Sequence, residues 1–181
     1  MADMLFSHVA ITPAPDYVTR RAPLREAHLA RLMDLRARGF VVAGGPAPDG
    51  RTADIFYRVP EAPDLARVVE EDPYFKGGAW TAYTSTLFEH FLEPWRQPPL
   101  VTDGSRAATI VEGQAAEADM ADFALVEARG AGRLLFGGFF PGGRTLAVMA
   151  ATDPVEAVAA LAGTGFWERE SLGARPWLYV L

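Results

Sequence analysis

The sequence predicts an α+β protein built from two tandem β-α-β-β-α-β repeats, the ferredoxin-like order of elements. Three observations predict it. The segment "GFVVAGGPAPDGRT" (Gly39 to Thr52) matches "GRLLFGGFFPGGRT" (Gly132 to Thr145) without gaps at an offset of 93. The flanks of the two segments agree as well. "ADIFYRVP" and "LAVMAATD" both read as strands, and "EAPDLARVVEED" and "PVEAVAALAGTG" as short helices. An aromatic pair follows each helix, Tyr74-Phe75 and Phe166-Trp167. Finally, "EPWRQPPLVTDGSR" between the copies carries three prolines and then turn formers, the composition of a linker.

In the first copy, "MLFSHVAIT" is apolar and β-branched enough for a strand. "PAPDYVTRRAP" reads as a loop. A helix is expected from Leu24 to Arg38, with Pro23 at its start and Gly39 at its stop. Leu24, Leu32 and Leu35 share one face of it. A strand, a Gly-Gly turn, a strand and a helix follow, and "WTAYTSTLFEHF" closes the copy as its last strand. The second copy runs "RAATIVEG" strand, "AEADMADFALVEAR" helix, strand, strand, helix and "RPWLYVL" strand. The expected boundaries are 1–93 for the first repeat, 94–106 for the linker and 107–181 for the second. A single antiparallel sheet with helices on one face leaves its other face bare. Two such sheets packed face to face bury both, so the repeat predicts an intrachain pseudo-dimer resembling a dimeric α+β barrel, open to further homodimerisation.

Composition narrows the function. Half of the 181 residues are apolar and 22% are charged, enough for a sizeable core. A net charge of −6 argues against a broad nucleic-acid footprint. With no cysteine there are no disulfides, thiol nucleophiles or thiolate metal sites. The N-terminus lacks the pattern of a secretory signal, and no apolar run approaches the roughly 18 residues of a membrane span. A soluble cytoplasmic protein is the expectation. Lys76 is the only lysine, and the excess of arginine, alanine, glycine and proline suits a GC-rich bacterial coding sequence.

"REAHLARLMDLRARGFVVAGGPAPDG" and "VVEEDPYFKGGAW" carry the chemistry. An Arg-x-x-His-Leu helix, a Gly-x-x-x-x-Gly-Pro segment and an Asp-Pro-aromatic stretch stand there in order. In these motifs the chain, from about Met4 to Leu92, resembles the YciI-like (YCII-related) proteins. The resemblance implies a ferredoxin-like α+β fold, usually dimeric, and a proposed His–Asp active-site pair. Carried over by motif, the pair is His28 and Asp72, with Arg25 and Tyr74 as the matching arginine and aromatic for substrate binding. Some relatives in aromatic degradation look like dehydrochlorinases or isomerase-type enzymes.

The residue chemistry is consistent with that implication. A carboxylate that accepts from one imidazole nitrogen fixes the tautomer and raises the basicity of the other. A histidine held so can exchange a proton with a carbon or a water. Arg25 lies one turn before His28 and could hold an anionic group bidentately. Structural readings stand beside these. His28 is in line with Leu24 and Leu32 and could be a packed core residue, Asp72 could cap a turn, and Tyr74 and Phe75 could be packing. The Gly-Gly turns lack the pattern of a phosphate loop.

A metal site is not expected. His8 and His90 could be neighbours if the first and last strands of the first copy pair, but no local His-x-x-x-His spacing exists. No cofactor is implied. At the offset of 93, His28 falls on Ala121 and Asp72 on Gly165, and the second half has no histidine. One site per chain is therefore expected, with the second copy degenerate. The expected activity is general acid–base chemistry on a small anionic or carbonyl-containing molecule. The alternative is a non-catalytic small-molecule-binding or regulatory module.

Overall fold

The computed structural model describes residues 4–181. The chain divides into two compact units, the first ending at Leu87 and the second running from Phe88 to Leu181.

The first unit contains β1 (Leu5–Pro13), α1 (Tyr17–Arg21), α2 (Arg25–Ala37), β2 (Val41–Pro46), β3 (Ala53–Val59), α3 (Ala62–Glu70), the single turn α4 (Pro73–Lys76) and β4 (Trp80–Leu87). Its four strands form an antiparallel sheet in the order β2-β3-β1-β4. The second unit contains β5 (His90–Leu92), β6 (Ala107–Gln114), α5 (Ala118–Gly130), β7 (Leu134–Phe139), β8 (Arg144–Met149), α6 (Pro154–Ala162) and β9 (Gly173–Leu178). Its sheet has the order β5-β7-β8-β6-β9, also antiparallel. Leaving out β5, the two orders are the same. Both units are α+β. Among the described residues no helix is long and apolar enough to cross a membrane.

The helix stops are local. α2 ends in a Schellman turn: Gly39 N–H donates to the Arg36 carbonyl and Phe40 N–H to that of Leu35. Gly39 takes φ +80°, which a side chain would resist. α5 ends identically. Gly132 has φ +73°, its N–H meets Arg129, and Arg133 N–H meets Ala128. β2 and β7 each slip register one residue into the strand, at Val41/Ala43 and Leu134/Phe136.

Strand pairing fixes which side chains face the helices of the first unit. Tyr83 hydroxyl donates to Glu70 of α3 at 2.8 Å, and its ring meets Phe75 of α4 at 5.8 Å. Residues directly opposed in an antiparallel pair share a face, and residues two apart in a strand do too. Tyr83 opposes Ile11, so Ile11, Val9 and Ser7 face the helices, and with Ser7 its partner Tyr57. His8, Ala10, Phe56 and Asp54 face the other way.

Three expectations change. The loop "PAPDYVTRRAP" contains α1 and a single 3-10 turn, Ala22–Leu24, so α2 starts at Arg25 rather than Leu24. The strand expected through Phe91 ends at Leu87, and residues 88–93 belong to the second unit, where β5 pairs with β7. Phe88 leaves the first sheet because its ring stacks on Phe140, 4.4 Å between centroids. The Pro-rich stretch is fastened to the second unit: Arg106 donates to the carbonyls of Pro99, Tyr179 and Val180, and Val101 N–H to Val180.

Candidate functional site

α2 brings His28 to the helix side of the first sheet. The loop after α3 brings Asp72, which begins α4. His28 Nδ1 lies 2.8 Å from Asp72 Oδ1. The same oxygen accepts the Tyr74 N–H at 2.8 Å, so Asp72 caps α4 and holds the imidazole with one atom. Asp72 is fully buried and His28 is 7% exposed. With Nδ1–H donated to the carboxylate, the free lone pair sits on Nε2, the nitrogen able to take a proton.

Aromatic rings position the imidazole. Tyr74 stacks on it, 3.7 Å between centroids at 11°, and Trp80 meets it edge-on at 5.1 Å. Tyr17 of α1 meets Tyr74 edge-on at 5.9 Å, and the Arg21 guanidinium lies over Tyr17 at 5.1 Å. Burial pushes the Tyr74 hydroxyl up to about 12; Tyr17 adds to the rise, and the Arg21 and Arg25 charges oppose it. Burial pushes Tyr57 further up, with the Asp72 charge adding to it and Arg31 opposing it. Tyr17 also lines a cleft of about 520 Å³ together with Asp16, Asp49 and Arg51.

The four residues singled out from the sequence therefore meet in part. His28, Asp72 and Tyr74 are in contact. Arg25 is exposed, close enough to the Tyr74 hydroxyl for its charge to be felt there. Tyr74 itself is 3% exposed, and its ring packs on those of His28, Tyr17 and Trp80.

Two expectations fail. The strand pairing that would join His8 and His90 within one sheet does not form: β5 carries His90 in the second sheet, where Nδ1 lies 2.9 Å from Asp122. His8 instead pairs with Asp54, Nε2 to Oδ1 2.6 Å, on the sheet face away from the helices of its unit. This second His–carboxylate pair escapes the sequence because the two residues meet only once β1 and β3 are in register. Among the described residues no group of three or more His, Asp or Glu could hold a metal ion.

The second correction concerns the repeat. The β2–β3 turn joins Pro46 to its partner Ala53, and the β7–β8 turn joins Phe139 to Thr145, one residue fewer. Past that turn the offset is 92. The counterpart of Asp72 is Thr164, not Gly165. Both N–H groups bond the residue three before, and both side chains accept from the residue two ahead: Thr164 Oγ1 from Phe166 at 3.3 Å, Asp72 from Tyr74. The aromatic pairs, themselves 92 apart, carry that signal in the sequence.

The first unit is thus half of an α+β protein with two antiparallel sheets, and it holds a buried His–Asp pair under its helices. The family model of the YCII-related domain matches residues 4–89, which supports a YciI-like family for this part of the chain. No curated protein matches. Among solved structures, a candidate monooxygenase from Lactobacillus acidophilus NCFM aligns over 98% of this chain and 94% of its own at 9% identity, TM-score 0.63. A heme-binding protein from Thermus thermophilus aligns over 98% and 92% at 10% identity, TM-score 0.55. The 5-chloro-2-hydroxyhydroquinone dehydrochlorinase of Burkholderia phenoliruptrix AC1100 aligns over 47% of this chain and 94% of its own at 22% identity, TM-score 0.42. At these identities the first two likenesses show the fold alone.

Proposed function

We propose that the chain is a YciI-like enzyme of small-molecule metabolism in which His28 is the general acid–base group. The observation that carries this reading is the 2.8 Å bond from His28 Nδ1 to a fully buried carboxylate, within a wall of aromatic rings. Asp72 holds the tautomer and stabilises the imidazolium formed when Nε2 takes a proton. Tyr74 fixes the ring plane by stacking. Arg25, exposed and near the Tyr74 hydroxyl, supplies the positive charge that places an anionic or carbonyl-containing substrate. The second unit is read as a degenerate copy, with Ala121 and Thr164 where the pair would stand. That the two copies form an intrachain pseudo-dimer is part of this proposal and rests on the sequence repeat alone.

The reading is tested without knowing the full reaction. A panel of small carbonyl acids and enolisable anions is incubated with the protein in deuterium oxide, and exchange at carbon is followed by NMR. Wild-type protein should speed exchange into at least one compound. His28→Gln, which keeps a donor for Asp72, should fold normally and lose that rate by about 10²- to 10⁴-fold. Exchange surviving in His28→Gln removes His28 from the role. The low exposure of His28 favours one other reading, a binding module without turnover. It predicts a ligand that raises the melting temperature and is recovered unchanged.

A further inference from the structure

The carboxylate of Asp72 has a second oxygen, and nothing in the acid–base assignment uses it. Oδ2 is buried with no hydrogen-bond partner among the described residues. Three more atoms of the first unit share that condition, the Tyr57 hydroxyl, Arg31 Nε and Trp80 Nε1. Buried polar groups left unpaired are rare in folded proteins. Here Asp72 Oδ2, the Tyr57 hydroxyl and Arg31 Nε come from three different elements on the helix side of one sheet.

Their placement is fixed independently. Tyr57 sits opposite Ser7 on β3 and faces the helices, with no exposed surface. Arg31 lies one turn after His28 on α2. Its NH2 reaches the Val68 carbonyl and the Glu71 carboxylate, each at 3.4 Å, so its guanidinium lies beside the residue preceding Asp72. The charges of Asp72 and Arg31 are both felt at the Tyr57 hydroxyl. One acceptor and two donors thus lie in the layer where α2 packs on α4 and the helices cover the sheet. A buried water typically makes about three hydrogen bonds of this kind.

We propose that Tyr57 is a positioning residue of the His28–Asp72 pair, acting through one buried water that bridges its hydroxyl and Arg31 Nε to Asp72 Oδ2. The bridge fixes the carboxylate plane, and through Oδ1 the imidazole. It shares the negative charge of Asp72 between two sides, so less of it falls on the His28 bond. The fold does not demand the hydroxyl: in the second unit the position of Tyr57 is Met149, paired with Leu134 as Tyr57 is with Val41. The bearing on catalysis rests on the function proposed above; the bridge itself does not.

The test is a double-mutant cycle on the full chain, read by thermal unfolding, with proton NMR of the low-field His28 Nδ1–H. That signal is assigned by its loss in His28→Gln. Tyr57→Phe should lower the melting temperature by about 3 °C. In an Asp72→Ala background the same change should no longer cost stability, because the hydroxyl there has already lost its partner. In Tyr57→Phe alone the Nδ1–H signal should move downfield as Asp72 bonds His28 more strongly. Equal losses in both backgrounds, a gain of stability in the wild-type background, or an unmoved signal overturns the proposal. If Asp72→Ala does not fold, the Nδ1–H signal in Tyr57→Phe decides alone. A bridge that holds while carbon exchange is absent refutes the enzyme reading and leaves the bridge standing.

Discussion

Where the first unit has His28, Asp72, Tyr57 and Tyr74, the second has Ala121, Thr164, Met149 and Phe166. The strand order, the helix stops and the bulges around them are the same. Ala121 and Met149 are buried and join the apolar cluster of α5, α6 and the sheet. The same comparison holds on the other sheet face: His8 and Asp54 of the first unit are matched by Ile110 and Leu146, both fully buried. A core of hydrocarbon suffices to build this unit. The first unit therefore carries buried ionisable groups that its architecture does not require, and burying a charge is costly unless it is well paired. That excess distinguishes the first unit from the second and supports the site proposed in it.

The sharpest way to break the comparison is to truncate the matched caps, Asp72 and Thr164. Asp72→Ala removes the start of α4 and leaves a buried imidazole without its partner, at about 3 kcal/mol. Thr164→Ala removes one weak 3.3 Å bond to a backbone N–H, at about 1 kcal/mol or less. Urea unfolding of the two variants should differ accordingly. Equal losses would mean that His28 draws no support from Asp72 beyond turn capping.

Alkaline pH tests the same difference without mutation. Burial holds the Tyr57 and Tyr74 hydroxyls protonated in the folded chain, Tyr74 up to about 12, whereas an unfolded tyrosine ionises near 10. Above the unfolded value the unfolded state has given up protons that the folded state keeps. Stability is thus fully present below about pH 10 and falls as pH rises toward 12. Met149 and Phe166 cannot titrate. Hydrogen exchange should show β3 and α2 losing protection between pH 10 and 12 before β8 and α5 do. Tyr74→Phe should narrow the gap.

Much of this is legible in the sequence, and the limits are instructive. Periodicity and the glycine stops place α2 and α5. The Asp-Pro-Tyr stretch names the partner of His28, although only the fold could bring two residues 44 apart to 2.8 Å. The strand beyond Leu87 is misjudged because Phe88 and Phe91 continue an apolar pattern, and only tertiary packing assigns them to the second unit. Tyr57 lies unmarked in the run "ADIFYRVP", since its hydroxyl matters only through its neighbours. The gapless repeat hides a one-residue difference in the turn. A one-residue difference in turn length changes which residues correspond downstream, and β3 and β8, buried along both faces, carry no alternation that would expose the shift.

The helix stops should respond more alike. Gly39→Ala and Gly132→Ala each force a side chain into a left-handed backbone, at about 1 kcal/mol. A Cβ at Gly39 would in addition meet Arg58 NH2 at 2.7 Å, while at Gly132 it meets nothing within 4 Å. The Arg58 Nε also donates to the Gly39 carbonyl at 3.1 Å. Gly39→Ala should therefore be the costlier by a few tenths of a kcal/mol in thermal unfolding. A larger cost at Gly132 would show that the two stops differ in strain, against their matching hydrogen bonds.

A further contrast lies at the start of α3 and α6. Asp153 accepts the Val155 N–H at 2.9 Å and caps α6. Its counterpart Glu61, before α3, makes no such bond. A glutamate is one methylene too long for the close return to the second backbone N–H, which is why aspartate is a preferred cap and glutamate is not. Asp153→Ala should cost about 1 kcal/mol, and Glu61→Ala almost nothing. Glu61→Asp then becomes the informative variant, since the backbone there is already extended as a cap requires. It should stabilise the first unit by roughly the amount that Asp153→Ala takes from the second. A null result in Glu61→Asp would mean that Pro63 at the start of α3 already fixes the turn, and that the two units reach the same helix by different local means.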